Sequence, residues 1–194
     1  EIKWDDALNR MVITDNAAGI PDTDDGWKRA LELGATNPDP SVLGVYGYGM
    51  KAAAFWWAPK IEISSKVAGE QVSRSVSMDI EEIQNKNLEF IPLREVPDPD
   101  VEGHGTTVVL HGLNTGRSYP RAMTLGKVRS YLASMYRSYL RGDEGFCHPQ
   151  SGGPFLTISV QNLELVAPNP ELLREPFWPR PTPPPESGDS IYWR

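Results

Sequence analysis

Gly44, Gly47 and Gly49 stand at spacings of three and two directly before Met50-Lys51-Ala52-Ala53-Ala54. Glycine has no Cβ, so its backbone N–H can lie against a phosphate oxygen and the chain can adopt positive φ. A helix starting near Gly49 would aim its free amides and the positive end of its dipole at the same anion, with Lys51 in the first turn adding a full charge. The chemistry this suits is the binding of a polyphosphate. The glycine order fits neither G-x-x-x-x-G-K-[ST] nor G-x-G-x-x-G, so the surrounding residues must say which ligand.

Two other stretches supply that context. Met11–Ile20 is an apolar strand ending in Asp15 and followed by the small residues Ala17, Ala18 and Gly19. Gly103-His104-Gly105-Thr106 is a small-residue turn feeding the β-branched run Thr107–Leu110. Taken singly, Asp15-Asn16 also reads as a strand-ending turn and Thr106-Thr107 as ordinary strand threonines. In this order, the three boxes resemble those of the GHKL ATPases, the family of gyrase B, MutL, heat-shock chaperone ATPases, histidine kinases and MORC proteins. The resemblance covers roughly the first two-thirds of the chain and is most like the MORC type.

That resemblance implies ATP as the ligand. It makes Asp15 the acceptor for the adenine amino group, with Gly19 the second glycine of the D-x-G-x-G box, Ala17 in place of the first, and Ile20 alongside. It makes Gly44, Gly47 and Gly49 the lid around the phosphates, together with Tyr46, Tyr48, Met50 and Lys51, and it makes Thr106 the hydroxyl that supports the aspartate and the base. The family's first box, a helix bearing the water-activating glutamate and a Mg²⁺-binding asparagine, has no counterpart here. Glu1 lies fourteen positions before Asp15, too few for a helix, a turn and two strands. The general-base glutamate and the Mg²⁺ ligand are therefore expected upstream of Glu1, with no catalytic or metal residue in this chain. The implied activity is Mg²⁺-dependent ATP hydrolysis, with nucleotide state controlling lid closure and homodimerisation of a MORC- or MutL-like clamp. A module that senses ATP without hydrolysing it, or a histidine kinase ATP-binding domain, are the alternatives.

The elements that must position these residues follow from pattern. Glu1–Trp4 and Arg10–Thr14 read as a hairpin, Thr23-Asp24-Asp25 as a capped helix start, and Trp27, Ala30 and Leu31 as its apolar stripe, stopping near Gly34. Asn37–Ser41 has turn chemistry. Ala52–Trp57 reads as a helix, Lys60–Lys66 as a strand alternating Ile61 and Ile63 against Glu62 and Ser64, and residues 71–80 and 88–93 as further strands. The fold class expected is an α/β (α+β) two-layer sandwich of the Bergerat type, a mixed sheet covered by helices on one face. Its domain would span residues 1–166, with 167–194 a linker or strap toward a further domain. Eight of the eighteen residues from Pro168 to Pro185 are proline, which favours extended polyproline II.

Gly126–Leu140 reads as an amphipathic helix, with Val128, Leu132, Met135 and Tyr139 on one stripe and Arg129, Arg137 and Arg141 on the other side. Six basic residues and no acidic one lie between Arg117 and Arg141, either a solvated face or a contact for nucleic acid or a protein partner. Phe155–Val160 reads as a strand. The net charge of −7 argues against a surface coated for nucleic acid, the single cysteine excludes an internal disulfide, and no apolar run reaches the ~20 residues of a membrane span. A cytoplasmic location, with nucleoid or nucleus as variants, fits this composition. Cys147 and His148 are sequence neighbours without a metal set around them, and His104 and His111 receive no role.

Overall fold

The computed structural model of the chain describes residues 1–32, 49–114, 122–145, 154, 156–168, 172–173 and 192–193. Strand β1 (Ile2–Asp5) turns through residues 6–9 into β2 (Arg10–Asp15), the predicted hairpin. Helix α1 (Asp24–Leu31) follows. Thr23 is its N-cap, with backbone in the extended region and Oγ1 accepting from the Gly26 N–H at 3.0 Å. Then come α2 (Gly49–Trp57), β3 (Lys60–Lys66), β4 (Val72–Asp79), α3 (Ile80–Lys86), β5 (Arg94–Pro97) and β6 (Gly105–His111). The remainder comprises α4 (Ala122–Met135), α5 (Arg137–Arg141), β7 (Ser159–Val160), β8 (Leu163–Glu164), β9 (Leu172–Leu173) and β10 (Tyr192–Trp193).

The chain divides into two compact units, residues 1–126 with 158–164 and residues 127–157 with 165–194. The first contains an eight-stranded sheet in the order β5-β4-β3-β6-β2-β1-β7-β8. Every pairing is antiparallel except β1 with β7, so the sheet is mixed, as expected.

Register arranges the inward side chains in rows, because residues opposite one another across a ladder share a face. One row runs Trp4–Met11–Leu110–Ile61–Met78 and the next Ile2–Ile13–Val108–Ile63–Val76. Ile61, Ile63 and Val76 are each 1% exposed. Onto these rows pack Trp27 and Leu31 of α1, Ala54, Phe55 and Trp57 of α2, and Ile83 of α3, making one core on one face of the sheet. That is the two-layer Bergerat-type architecture. The opposite face carries half-buried polar residues, among them Thr14, Thr107, Ser64 and Ser75 in one row.

Three strand expectations are corrected. Residues 88–93 are not a strand; pairing with β4 begins only at Arg94. Asn87 ends α3 in the left-handed region at φ 46°, and Pro92 has no N–H to give a ladder. The strand expected over 71–80 stops at Asp79, which closes β4 and caps α3, its Oδ1 accepting from the N–H groups of Glu81 and Glu82 at 3.0 and 3.2 Å. The strand expected at 155–160 reduces to Ser159–Val160, with Phe155 outside the described residues.

In the second unit, the helix expected over 126–140 is broken at Tyr136 (φ −99°, ψ 17°), whose ring meets Tyr139 edge-on at 6.2 Å. The predicted stripe is shifted as well. Met135 is 71% exposed and the buried position is Ala133. Arg137 is exposed, while Arg141 pairs with Asp143 at 2.8 Å, which holds that carboxyl below its ordinary range. Part of the basic face is thus neutralised within the chain. β9 and β10 pair antiparallel. Among the described residues no helix is long and apolar enough to cross a membrane.

Candidate functional site

Above the two apolar rows the same inward face carries a third, polar one. Asp15 of β2 stands opposite Thr106 of β6, Thr106 opposite Ser65 of β3, Ser65 opposite Arg74 of β4, and Arg74 opposite Glu95 of β5. Period-2 alternation dictates this: Thr106, Ser65 and Arg74 lie two positions from the core residues Val108, Ile63 and Val76 on their own strands, and Asp15 lies two from Ile13, which is 37% exposed. Exposure is lowest in the middle of the row and rises again at Glu95. Asp15 is exposed and Thr106 half-buried, while Ser65 is 3% and Arg74 8% exposed.

Asp15 Oδ1 accepts the Ala17 N–H at 2.9 Å, so the strand ends in a turn held by the carboxylate itself. The loop beyond is pinned at several points. The Ile20 N–H donates to Ser65 Oγ at 2.8 Å, the Ala68 N–H to the Ala18 carbonyl at 3.4 Å, and His104 Nδ1 lies 2.9 Å from the Ala17 carbonyl oxygen. Gly19 has φ +82°, and a Cβ there would fall 2.1 Å from the Lys66 carbonyl oxygen. Gly105 has φ +127°, and a Cβ there would fall 2.1 Å from the Asp15 carbonyl oxygen. Both glycines are required by backbone-on-backbone approach.

Beside Ser65 in the row, Arg74 is clamped by Glu70, Glu95 and Asp22, the last two at 2.8 and 2.9 Å. The hydrogen bond to Glu70, ahead of the other partners, raises the Arg74 pKa above its ordinary value. Through Asp22 the clamp fixes the segment leading into α1, and through Glu95 the edge strand. Lys66, 8% exposed, pairs with Asp98 Oδ1 at 2.8 Å and also donates to the carbonyls of Asp98 and Asp100.

Lys51 lies in the first turn of α2, as expected, and its ammonium is engaged by α1. It is 4% exposed, and its Nζ donates to the Ala30 carbonyl at 2.8 Å and reaches that of Arg29 at 3.5 Å. These belong to the last turn of α1, whose carbonyls lack helical partners and carry the negative end of the dipole. Burial lowers the Lys51 pKa, with Glu32 opposing. Gly49 and Met50, at the start of α2, are exposed. Gly44, Tyr46, Gly47 and Tyr48 lie outside the described residues, as do Asn37–Ser41, Cys147, His148 and most of the proline-rich stretch.

A family model described as "Histidine kinase-, DNA gyrase B-, and HSP90-like ATPase" matches residues 1–106, the segment that carries Asp15, the glycine loop and Thr106. The chain belongs to this GHKL-type ATPase family. Its sheet and helices are those of the family's ATP-binding fold. They are similar to the crystal structure of the ATPase and transducer domains of DNA topoisomerase II from Balamuthia mandrillaris, with a TM-score of 0.55, 15% sequence identity and 86% of this chain covered. The chain spans 42% of that protein's chain. No curated protein sequence matches it.

Within this GHKL-type domain, two members of the polar row escape the motif reading. Ser65 and Arg74 sit in no box. The signal was nonetheless present, since each is a polar residue at an inward position of an otherwise apolar alternation.

Proposed function

We propose that this chain binds ATP and that the protein containing it hydrolyses ATP, its nucleotide state controlling lid closure and homodimerisation as in a MORC- or MutL-like clamp. The observation carrying this reading is the pairing of Asp15 with Thr106 on one face of the sheet, beside a loop drawn close by Gly19 and Gly105. The exposed carboxylate offers an acceptor to an exocyclic amino group, and Thr106 a hydroxyl next to it. Ala17, Gly19 and Ile20 form the backbone along the base.

Phosphates would meet the amides of Gly49 and Met50 at the start of α2, completed by Gly44, Tyr46, Gly47 and Tyr48. A Cβ on Gly49 would meet nothing within 4 Å among the described atoms, so no contact among the described residues demands glycine there, whereas a close-lying phosphate would. Lys51 would have to leave the Ala30 carbonyl to join them. ATP bound there supplies the phosphoanhydride whose cleavage is the reaction.

Mg²⁺ finds no ligand set among the described residues, which contain no group of three or more His, Cys, Asp or Glu able to hold a metal. No step is derived through it in this chain. We assign the water-activating glutamate and the Mg²⁺ ligand to residues outside these 194. Ala17, standing where the D-x-G-x-G box has its first glycine, favours as a second reading an ATP-sensing module that does not turn ATP over. A DNA or protein partner would use the face of Arg129, Arg137 and Arg141.

Turnover of ATP with Mg²⁺ by the full-length protein, measured beside nucleotide affinity, tests the proposal. Hydrolysis supports the ATPase reading; tight binding without hydrolysis selects the sensor; absence of binding removes both.

A further inference from the structure

The Ser65 hydroxyl touches three groups at once. The Ile20 N–H donates to it at 2.8 Å, the Gly105 carbonyl oxygen lies at 3.2 Å and Thr106 Oγ1 at 3.0 Å. A serine hydroxyl has one proton and two acceptor lone pairs. Ile20 occupies one lone pair. The Gly105 carbonyl can only accept, so the Ser65 proton goes to it, and the second lone pair is left for the proton of Thr106. This allocation gives all three neighbours a partner at a buried site, where an unpaired polar group is costly.

We infer that Ser65 sets the hydrogen-bond polarity of Thr106 and thereby the base specificity of the site. With its proton committed to Ser65, Thr106 turns only acceptor lone pairs toward a ligand, beside the acceptor carboxylate of Asp15. The edge so formed favours an exocyclic amino group and disfavours a carbonyl in the same place. Ser65 acts through Thr106 and is a positioning residue. The inference rests on the reading of Asp15 and Thr106 as the base-reading edge.

The discriminating ligands are ATP and inosine triphosphate, which carry an amino group and a carbonyl respectively at purine C6. Without the Ser65 oxygen, the Thr106 proton is released and can be donated to that carbonyl. In the full-length protein, Ser65→Ala is expected to narrow the ratio of ATP to inosine triphosphate affinity by roughly three- to tenfold, the worth of one hydrogen bond. Ser65→Thr, which restores a hydroxyl, is expected to keep the wild-type ratio. Equal weakening of both nucleotides in Ser65→Ala, with the ratio unchanged, would show a merely structural serine and overturn the inference. If Ser65→Ala lacks the wild-type circular dichroism, the ratio is read on Ser65→Cys, whose thiol is a weak donor and acceptor. There too narrowing supports the inference and an unchanged ratio overturns it. A wild-type protein that binds neither nucleotide instead removes the base-edge reading itself.

Discussion

Asp15 and Thr106 stand opposite one another at the end of the β2–β6 ladder, so a carboxylate and a hydroxyl ninety-one positions apart in sequence share one face of the sheet. Their approach is possible because Gly105, the residue before Thr106, lies with its Cα against the Asp15 carbonyl.

Gly105→Ala places a methyl group 2.1 Å from that carbonyl oxygen at φ +127°. The substitution is expected to destabilise the protein by about 3 kcal/mol, the scale of backbone strain plus a steric clash. Thermal unfolding would register this as a fall of several degrees, whereas Gly69→Ala, where a Cβ meets nothing within 4 Å but φ is +83°, should cost less.

Arg74→Leu removes the cation shared by Asp22, Glu70 and Glu95. Breaking a buried pair leaves uncompensated charge, but these carboxylates are 34–57% exposed, and solvent relieves part of the cost. A loss of about 2 kcal/mol is expected. Hydrogen exchange should show the amides of Arg94, Glu95 and Val96 losing protection first, because β5 is the edge strand that the clamp holds.

The Lys66 ammonium holds the Asp98 carboxyl below its ordinary value of 3.8, first through their hydrogen bond. A carboxyl depressed in the folded state contributes stability that is present above its unfolded pKa and lost as pH falls through the folded one. Asp98→Asn is therefore expected to be less stable than wild type at pH 7. The difference should shrink below about pH 4 and vanish below the folded pKa. Denaturant titrations of both proteins from pH 7 to pH 2 measure it.

Lys51→Met keeps the apolar stem of the side chain but leaves the Ala30 carbonyl without its donor. A loss of about 1 kcal/mol in stability is expected, the size of one hydrogen bond at a helix C-terminus. On the proposed reading the variant also loses more affinity for ATP than for adenosine, which calorimetry with both ligands resolves. Equal loss for the two would leave Lys51 a link between α1 and α2 only.

The parts of this fold governed by local pattern were legible in the sequence: the first hairpin, the Thr23 cap, β3, and the placing of Asp15 at the end of one strand and Thr106 at the start of another. What escaped depends on register. Ser65 and Arg74 become part of the site only because β3 and β4 align with β6 so that their inward polar residues extend the Asp15–Thr106 row. The partner of the Lys51 ammonium escaped for a different reason. Helix-dipole reasoning placed it by the start of its own helix, but the carbonyl end of α1 is an equally electrostatic partner and lies within reach of its four-carbon stem. Residues 88–93 misled because apolar Leu88, Phe90 and Leu93 suggest a strand, yet Phe90 is 84% exposed and Asn87 and Pro92 prevent regular pairing.

The most direct test of the central claim is the affinity of the full-length protein and its Asp15→Asn variant for ATP, measured by calorimetry. Replacing the carboxylate by an amide removes a charge-assisted hydrogen bond of about 1.5–3 kcal/mol, so affinity should fall roughly ten- to a hundredfold while circular dichroism stays unchanged. Equal affinity in the two proteins, or no binding by wild type, would contradict the assignment of the Asp15–Thr106 row as the base-reading edge of an ATP site.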